Sequence, residues 1–225
     1  MASAREAQQV AKRAVILGAI AFRASLEVTE HPRVVELSGR LLPWLREVGC
    51  DDELDPFERE LLATPLGQLS DGQRIDANWA GEAGTFFCWA LNLAAPLDVA
   101  APADQSRLPG SLFILRPEAN EILRSALLRE SAELEDVCRH YALIRSVLRE
   151  GRVALPAKEI IRRVSLEELD QVGLDVIEDA IRRASETVAG MQPEERSRAT
   201  GLYFVRAHAA LWLFGTGARY FESEP

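Results

Sequence analysis

Histidine is nearly missing from this chain: three in 225 residues, with three cysteines and two methionines beside them. That poverty narrows the metal chemistry available. The residues three positions before His31, His140 and His208 are Val28, Val137 and Val205, so the Glu-x-x-His pairs of a di-iron bundle are missing. A His-Glu-x-x-His zinc helix is missing as well. Cys50, Cys88 and Cys138 make no Cys-x-x-Cys step, and Cys88 and Cys138 fall on apolar helical patterns. They read as buried free thiols of a reducing compartment, and the expectation is a protein with no metal site and no cofactor. No Walker or Rossmann glycine pattern occurs. Gly215-Thr216-Gly217 lacks the strand before and the helix after that a phosphate loop requires, and reads as a helix end. No apolar run reaches the roughly eighteen residues of a membrane span. Positive charge is short too: 26 bases against 35 acids give -9, which repels phosphate backbones and anionic lipid. Nucleic acid and membrane are therefore not expected partners, and the location expected is cytoplasmic.

What is present is helical pattern. The stretch from Trp79 to Leu91 places one carboxylate, Glu82, inside an apolar helix that carries Trp79 and Trp89. Burying an uncompensated carboxylate costs on the order of several kcal/mol, so Glu82 needs a proton or a cation. Near the far end, Gly201 to Leu213 offers a single Arg206 in an equally apolar setting. The two segments are expected to meet and the two charges to pair.

Helix punctuation sets the organisation. Lys12-Arg13 followed by Ala14 to Phe22 imitates the start of a signal peptide. The run is short and Arg23 ends it, and the stripe Val10, Ala14, Leu17, Ala21 and Ala24 reads better as an amphipathic first helix. Pro32 precedes a second helix with Val34, Leu37, Leu41, Trp44 and Val48 on one face, and Pro43 marks a kink or a restart. Asp55-Pro56-Phe57-Glu58 has the cap, first-turn proline and third-position acid of a short helix to Ala63, and Ser70-Asp71-Gly72-Gln73 opens a long central helix to about 94. Residues 95–117 hold Pro96, Pro102, Pro109, Gly110 and Pro117 and are expected to form a long surface connection, interrupted by Leu112-Phe113-Ile114-Leu115 as a lone strand or a helical turn. Helical pattern resumes from Glu118, with Leu134, Val137, Tyr141, Ile144 and Leu148 as a stripe. Ser165 to Glu168 and the stripe from Leu174 to Val188 suggest another helix, and Pro193-Glu194-Glu195 opens the last, to about Phe214. The fold class expected is all-α: a single domain over residues 1–225, an irregular bundle of about seven to nine helices around the Trp-rich one.

Two clusters carry chemistry. Asp136 and His140, four apart on one helix face, make with Glu133 the densest carboxylate and imidazole group, able to orient a base or to serve as a structural ion pair. Glu47, Asp51, Asp52, Glu53, Asp55, Glu58 and Glu60 face only Arg59 within residues 47–60, which makes the segment a docking patch for something basic or an ordinary solvated loop.

In order, Leu42-Pro43-Trp44-Leu45, Glu58 with Leu61-Leu62, Pro65-Leu66-Gly67-Gln68-Leu69, Trp79-x-x-Glu82 and Trp89-Ala90-Leu91 resemble the blocks of domain-of-unknown-function family 4272, a mainly bacterial group. Asp136 with Arg139-His140-Tyr141 resembles its middle block, and Arg206 with Trp212-Leu213 its closing block, so that the resemblance spans roughly residues 5–215. Val205 departs from the acid that the family tends to place before the Arg. The resemblance implies a soluble fold and carries no activity.

Two functions are expected from these features. One is a non-catalytic interaction or regulatory protein that binds another protein through Asp51, Asp52, Glu53 and Asp55. The other is an enzyme or small-ligand-binding protein with Glu82, Asp136, His140 and Arg206 around one solvent-open pocket. Missing nucleophile, metal and phosphate signatures favour the first.

Overall fold

The computed structural model describes residues 4–98, 101–149, 186, 190, 192–215 and 220, with 142–149 and 193–198 as backbone alone. Among them are eight α-helices: α1 (Ala7–Glu27), α2 (Val34–Glu47), α3 (Pro56–Ala63), α4 (Asp71–Ala90), α5 (Leu108–Ser111), α6 (Ala119–Ser125), α7 (Ser131–Arg149) and α8 (Pro193–Phe214). Short 3-10 turns lie at Asp51–Glu53 and Gln105–Arg107, and the described residues contain no strand. The all-α bundle expected from the pattern is the fold. The expected helix within 165–188 lies outside the described residues.

The most extensive packing is α1 against α4, followed by α7 against α8 and α8 against α4. α4 is central, as its tryptophans suggest, but α1 shares that position. Ala14, Val15, Ile16 and Leu17 are successive and all buried, so α1 has no broad solvent face along this stretch. The amphipathic reading of α1 is therefore corrected: the apolar stripe is real, but neighbours cover the other faces as well. A helix buried all round must neutralise its own charges. Arg13 pairs with Glu58 of α3, both buried. Arg23, fully buried, pairs with Glu27 at 2.6 Å and donates to the carbonyls of Thr64 and Pro65 at 3.0 and 3.2 Å.

The caps that the sequence announces are formed. Asp55 accepts from Phe57 N while Glu58 accepts from Asp55 N at 3.0 Å, and Ser70 and Gln73 make the reciprocal pair at the start of α4. Glu58 thus closes a capping box with one oxygen and meets Arg13 with the other. Pro43 lies inside α2 without ending it. α4 stops at Ala90, short of the expected 94, in a Schellman closure. There Leu93 N reaches Cys88 O, Asn92 N reaches Trp89 O, and Asn92 takes a left-handed φ of 60°.

The run Leu112 to Leu115 is neither a strand nor a continuous helix; it is a turn after α5 in which Leu112 and Ile114 point into the core. Phe113 and Leu115 accept left-handed φ values of 50° and 63° to allow this. Gly18 of α1 makes the room: a Cβ there would lie 2.4 Å from Leu112 Cδ1.

The core between the helices is aromatic. Phe87 meets Trp212 edge-on at 5.3 Å, and Phe86 meets Tyr141 at 6.0 Å, which ties α4 to α8 and to α7. Cys50, Cys88 and Cys138 are buried free thiols, as expected from the pattern. Burial pushes the Cys50 and Cys88 thiols up to about 12 and the Cys138 thiol higher still. No helix among the described residues is long and apolar enough to cross a membrane.

Candidate functional site

Glu82 and Trp89 are seven residues apart on α4, two turns along one side. Arg206 on α8 meets the first of them. Its Nη2 lies 3.1 Å from Glu82 Oε2, and the two side chains are 1% and 2% exposed. The expected pair is formed, and both partners also bond to the backbone of residues 98–103. Arg206 Nη1 donates to Asp98 O at 2.7 Å and Nη2 to Ala101 O at 2.9 Å. Glu82 Oε1 accepts from Ala103 N at 2.8 Å and from Gln105 Nε2 at 3.4 Å. Gln105 also donates to Asn78 O at 3.1 Å. Gly81 leaves space for that side chain, since a Cβ there would fall 1.9 Å from Gln105 Oε1.

Beside this pair lies a solvent-open cavity of about 340 Å³, lined by Trp89, Pro96, Leu97, Glu133, Asp136, Val137, His140 and Tyr141. Helical spacing explains the α7 contribution: Glu133, Val137 and His140, with Asp136 and Tyr141, fall at three- and four-residue steps on one face. Trp89 closes the inner side, and the residues after α4 supply Pro96 and Leu97. Arg129 fixes the corner between α4 and α7. Its Nε donates to Trp89 O at 2.6 Å, Nη2 to Ala94 O at 3.2 Å and Nη1 to Glu133 at 3.0 Å, while its guanidinium sits 5.2 Å from the Trp89 ring centre. A cation at the carboxyl end of α4 also complements the helix dipole.

The four polar residues expected around one pocket are thus divided. Asp136 and His140 line the cavity, and Glu82 and Arg206 lie buried behind its wall. Tyr141 touches both groups: it lines the cavity, and its hydroxyl accepts from Arg206 Nη1 at 3.4 Å. Burial raises the Tyr141 phenol above its ordinary range, and the Arg206 guanidinium partly opposes this. With both oxygens bonded and only 2% exposure, Glu82 is poorly placed for acid-base work on a solvent-borne substrate. Among the described residues no group of three or more His, Cys, Asp or Glu is arranged to hold a metal ion.

The acidic segment has more cations around it than its sequence neighbourhood shows. Asp51 accepts from Arg59 at 2.7 Å and lies 3.9 Å from Arg46; Asp52 meets Lys12 at 3.2 Å; Asp55 caps α3. The Arg59 hydrogen bond holds the Asp51 carboxyl below its usual range. Glu53 acts on Arg5 from a distance, and Glu58 is buried against Arg13. His208 bonds through Nε2 to Tyr220 O at 2.9 Å.

Sequence reasoning missed the pairing of Arg13 and Arg23, whose partners lie on a separate helix and at the end of α1 itself. It also missed Arg129, whose position after a break gave no sign of its return to α4. Arg13 and Arg23 do frame the apolar run Ala14 to Phe22, and charges at the edges of such a run in a buried helix are the available signal.

These features define an all-helical protein built on two central helices, with a buried ion pair behind a small lateral cavity. The chain belongs to the family described as Domain of unknown function (DUF4272), whose model matches residues 1–167. The blocks from Leu42 to Tyr141 lie within that match. The block around Arg206 and Trp212 lies beyond it, so the shown extent is shorter than residues 5–215. Neither the curated proteins nor the solved structures contain a match to the chain.

Proposed function

We propose that the chain is a small-ligand-binding protein whose cavity between α4 and α7 takes an organic cation with an apolar body. The observation that carries this reading is the composition of the wall. Glu133, Asp136 and His140 share it with Trp89, Tyr141, Pro96, Leu97 and Val137, and among the described residues no Lys or Arg lines it. A volume of about 340 Å³ suits a small molecule. Carboxylates beside aromatic rings stabilise an ammonium group by charge and by the ring quadrupole, and the apolar walls take the hydrocarbon part. Arg129 pairs with Glu133 from outside the lining, and Asp136, one turn of α7 further along the same wall, is the proposed counter-ion.

A panel of amines, carboxylates and phosphates of matched size, measured by calorimetry, tests this. Saturable binding is expected for amines, weakened about ten- to a hundredfold by Asp136→Asn, the range for a hydrogen bond to a charged group. Preference for the anions, or amine binding indifferent to Asp136→Asn, overturns it. Binding of a basic protein through Asp51, Asp52, Glu53 and Asp55 remains the second reading, supported by the 71% exposure of the Asp52 side chain.

A further inference from the structure

Glu82 and Arg206 form a buried, hydrogen-bonded pair near the cavity, yet neither lines it. Four of their hydrogen bonds go to one stretch of chain. Arg206 reaches Asp98 O and Ala101 O, and Glu82 receives Ala103 N and the side chain of Gln105. Asp98 follows directly on Pro96 and Leu97, which form the wall opposite α7. We infer that Glu82 and Arg206 are positioning residues of the cavity: the pair holds the backbone at Asp98, Ala101 and Ala103, and so sets where Pro96 and Leu97 stand against α7.

The physical basis is the set of side-chain bonds that reach the backbone of that stretch. The backbone hydrogen bonds of α4 end with the Schellman closure at Leu93, and among the described residues the next regular element is the 3-10 turn Gln105–Arg107. Between them Arg129 holds Ala94 O, and the buried pair holds Asp98 O, Ala101 O and Ala103 N through side-chain bonds. A guanidinium spans two carbonyls three residues apart because its donors diverge in a rigid fork; an ammonium is a single compact donor group and lacks that fork. The carboxylate fixes the amide of Ala103 from the other side. Tyr141, bonded to Arg206 and lining the cavity, links the clasp to the α7 wall as well.

The consequence for binding rests on the ligand reading above, whereas the clasp itself is testable without any ligand. Hydrogen exchange on the full chain, read on peptides covering 97–105 and on peptides from α1 and α4, compares wild type with Arg206→Lys and Gln105→Ala. Arg206→Lys is expected to speed exchange at 101–105 by about tenfold or more, the loss of a bond to a charged group, while α1 keeps its protection. Gln105→Ala leaves the ion pair in place, and a smaller rise confined to the same peptides is expected. For the tightest amine of the panel, Arg206→Lys should weaken binding by about tenfold although Arg206 lies behind the wall. Equal loss of protection in α1 and 101–105, or unchanged exchange at 101–105 in both variants, overturns the positioning role. Local exchange as expected with no amine bound at all leaves the clasp standing and removes the ligand reading.

Discussion

Acidic side chains meet opposite circumstances in two regions of this molecule. At Glu82 one carboxylate is buried to 2% exposure, with a guanidinium on one oxygen and an amide and a carboxamide on the other. Across residues 47–60 many acids gather, yet Asp52 is open to water and Asp51 shares a half-exposed site with Arg59. By count the second region dominates the charge of the chain; by energy the first matters more. Water screens the exposed group, whereas a buried charge deprived of its partner bears a desolvation cost that nothing offsets. Glu58 makes the point within the acidic segment itself, since it is fully buried against Arg13 and belongs with Glu82 rather than with its sequence neighbours.

The largest effect is therefore expected from breaking the buried pair. Glu82→Ala should lower unfolding stability by about 3–5 kcal/mol in a denaturant titration, the range for stranding one partner of a buried pair. Replacing both Glu82 and Arg206 by apolar residues of similar volume should recover part of that loss, because no stranded charge remains. Recovery will be incomplete, since Asp98 O, Ala101 O and Ala103 N lose their partners as well. A single change costing under about 1 kcal/mol would place Glu82 with the surface acids and dissolve the distinction between the two regions.

Glu82 and Arg206 were legible because each is a lone charge in a long apolar helix, so burial and pairing follow from composition alone. The capping boxes at Asp55 and Ser70 were legible for a similar reason: the cap and its third residue are local. Arg13 with Glu58 was not, because α1 reads as a surface helix until α4 and its neighbours cover its other faces. The cavity was legible only in half. Asp136 and His140 share a face by spacing, but that Trp89, Pro96 and Leu97 stand opposite them depends on where the chain turns after α4. That turn is set by an Asn in a left-handed conformation and by Arg129 returning from far along the sequence. Local rules report helices and caps; they do not report which remote arginine arrives.

The thiols mark the boundary between the two regions. Cys50 is fully buried although it lies within the acidic segment, and Cys88 lies on the buried stretch of α4. An unfolded thiol ionises near 9.0, whereas Cys50 and Cys88 hold their protons to about 12. The unfolded state therefore releases protons first as pH rises. The contribution of these thiols is full below about 9 and is lost progressively as pH climbs toward about 12. Tyr203, raised from 10.0 to about 12 by burial, adds to the same alkaline loss. Denaturant midpoints should decline across that interval, and a thiol reagent near neutral pH should label none of the three cysteines until the protein unfolds. Rapid native labelling of Cys50 alone would move the boundary inward and make the acidic segment a looser region than its packing indicates.

The smallest effect is expected on the exposed side. Asp52→Asn removes the partner of Lys12, whose side chain is 29% exposed against 71% for Asp52. Such a pair gains little Coulomb energy in water and loses side-chain freedom in forming, so the change should be about 0–1 kcal/mol. It should also shrink as salt rises, because screening acts over about 8 Å at physiological ionic strength. Asp55→Ala, in the same run, should behave differently. Its carboxylate accepts from the backbone of α3, and loss of an N-cap costs about 1 kcal/mol with little dependence on salt, since a hydrogen bond and not a distant charge is removed. Measured side by side in low and high salt, the two substitutions separate charge that merely sits on the surface from charge that the backbone uses. If Asp52→Asn proved the costlier and stayed so at high salt, Lys12 and Asp52 would have to act as a buried pair, and the contrast with Glu82 would be one of degree.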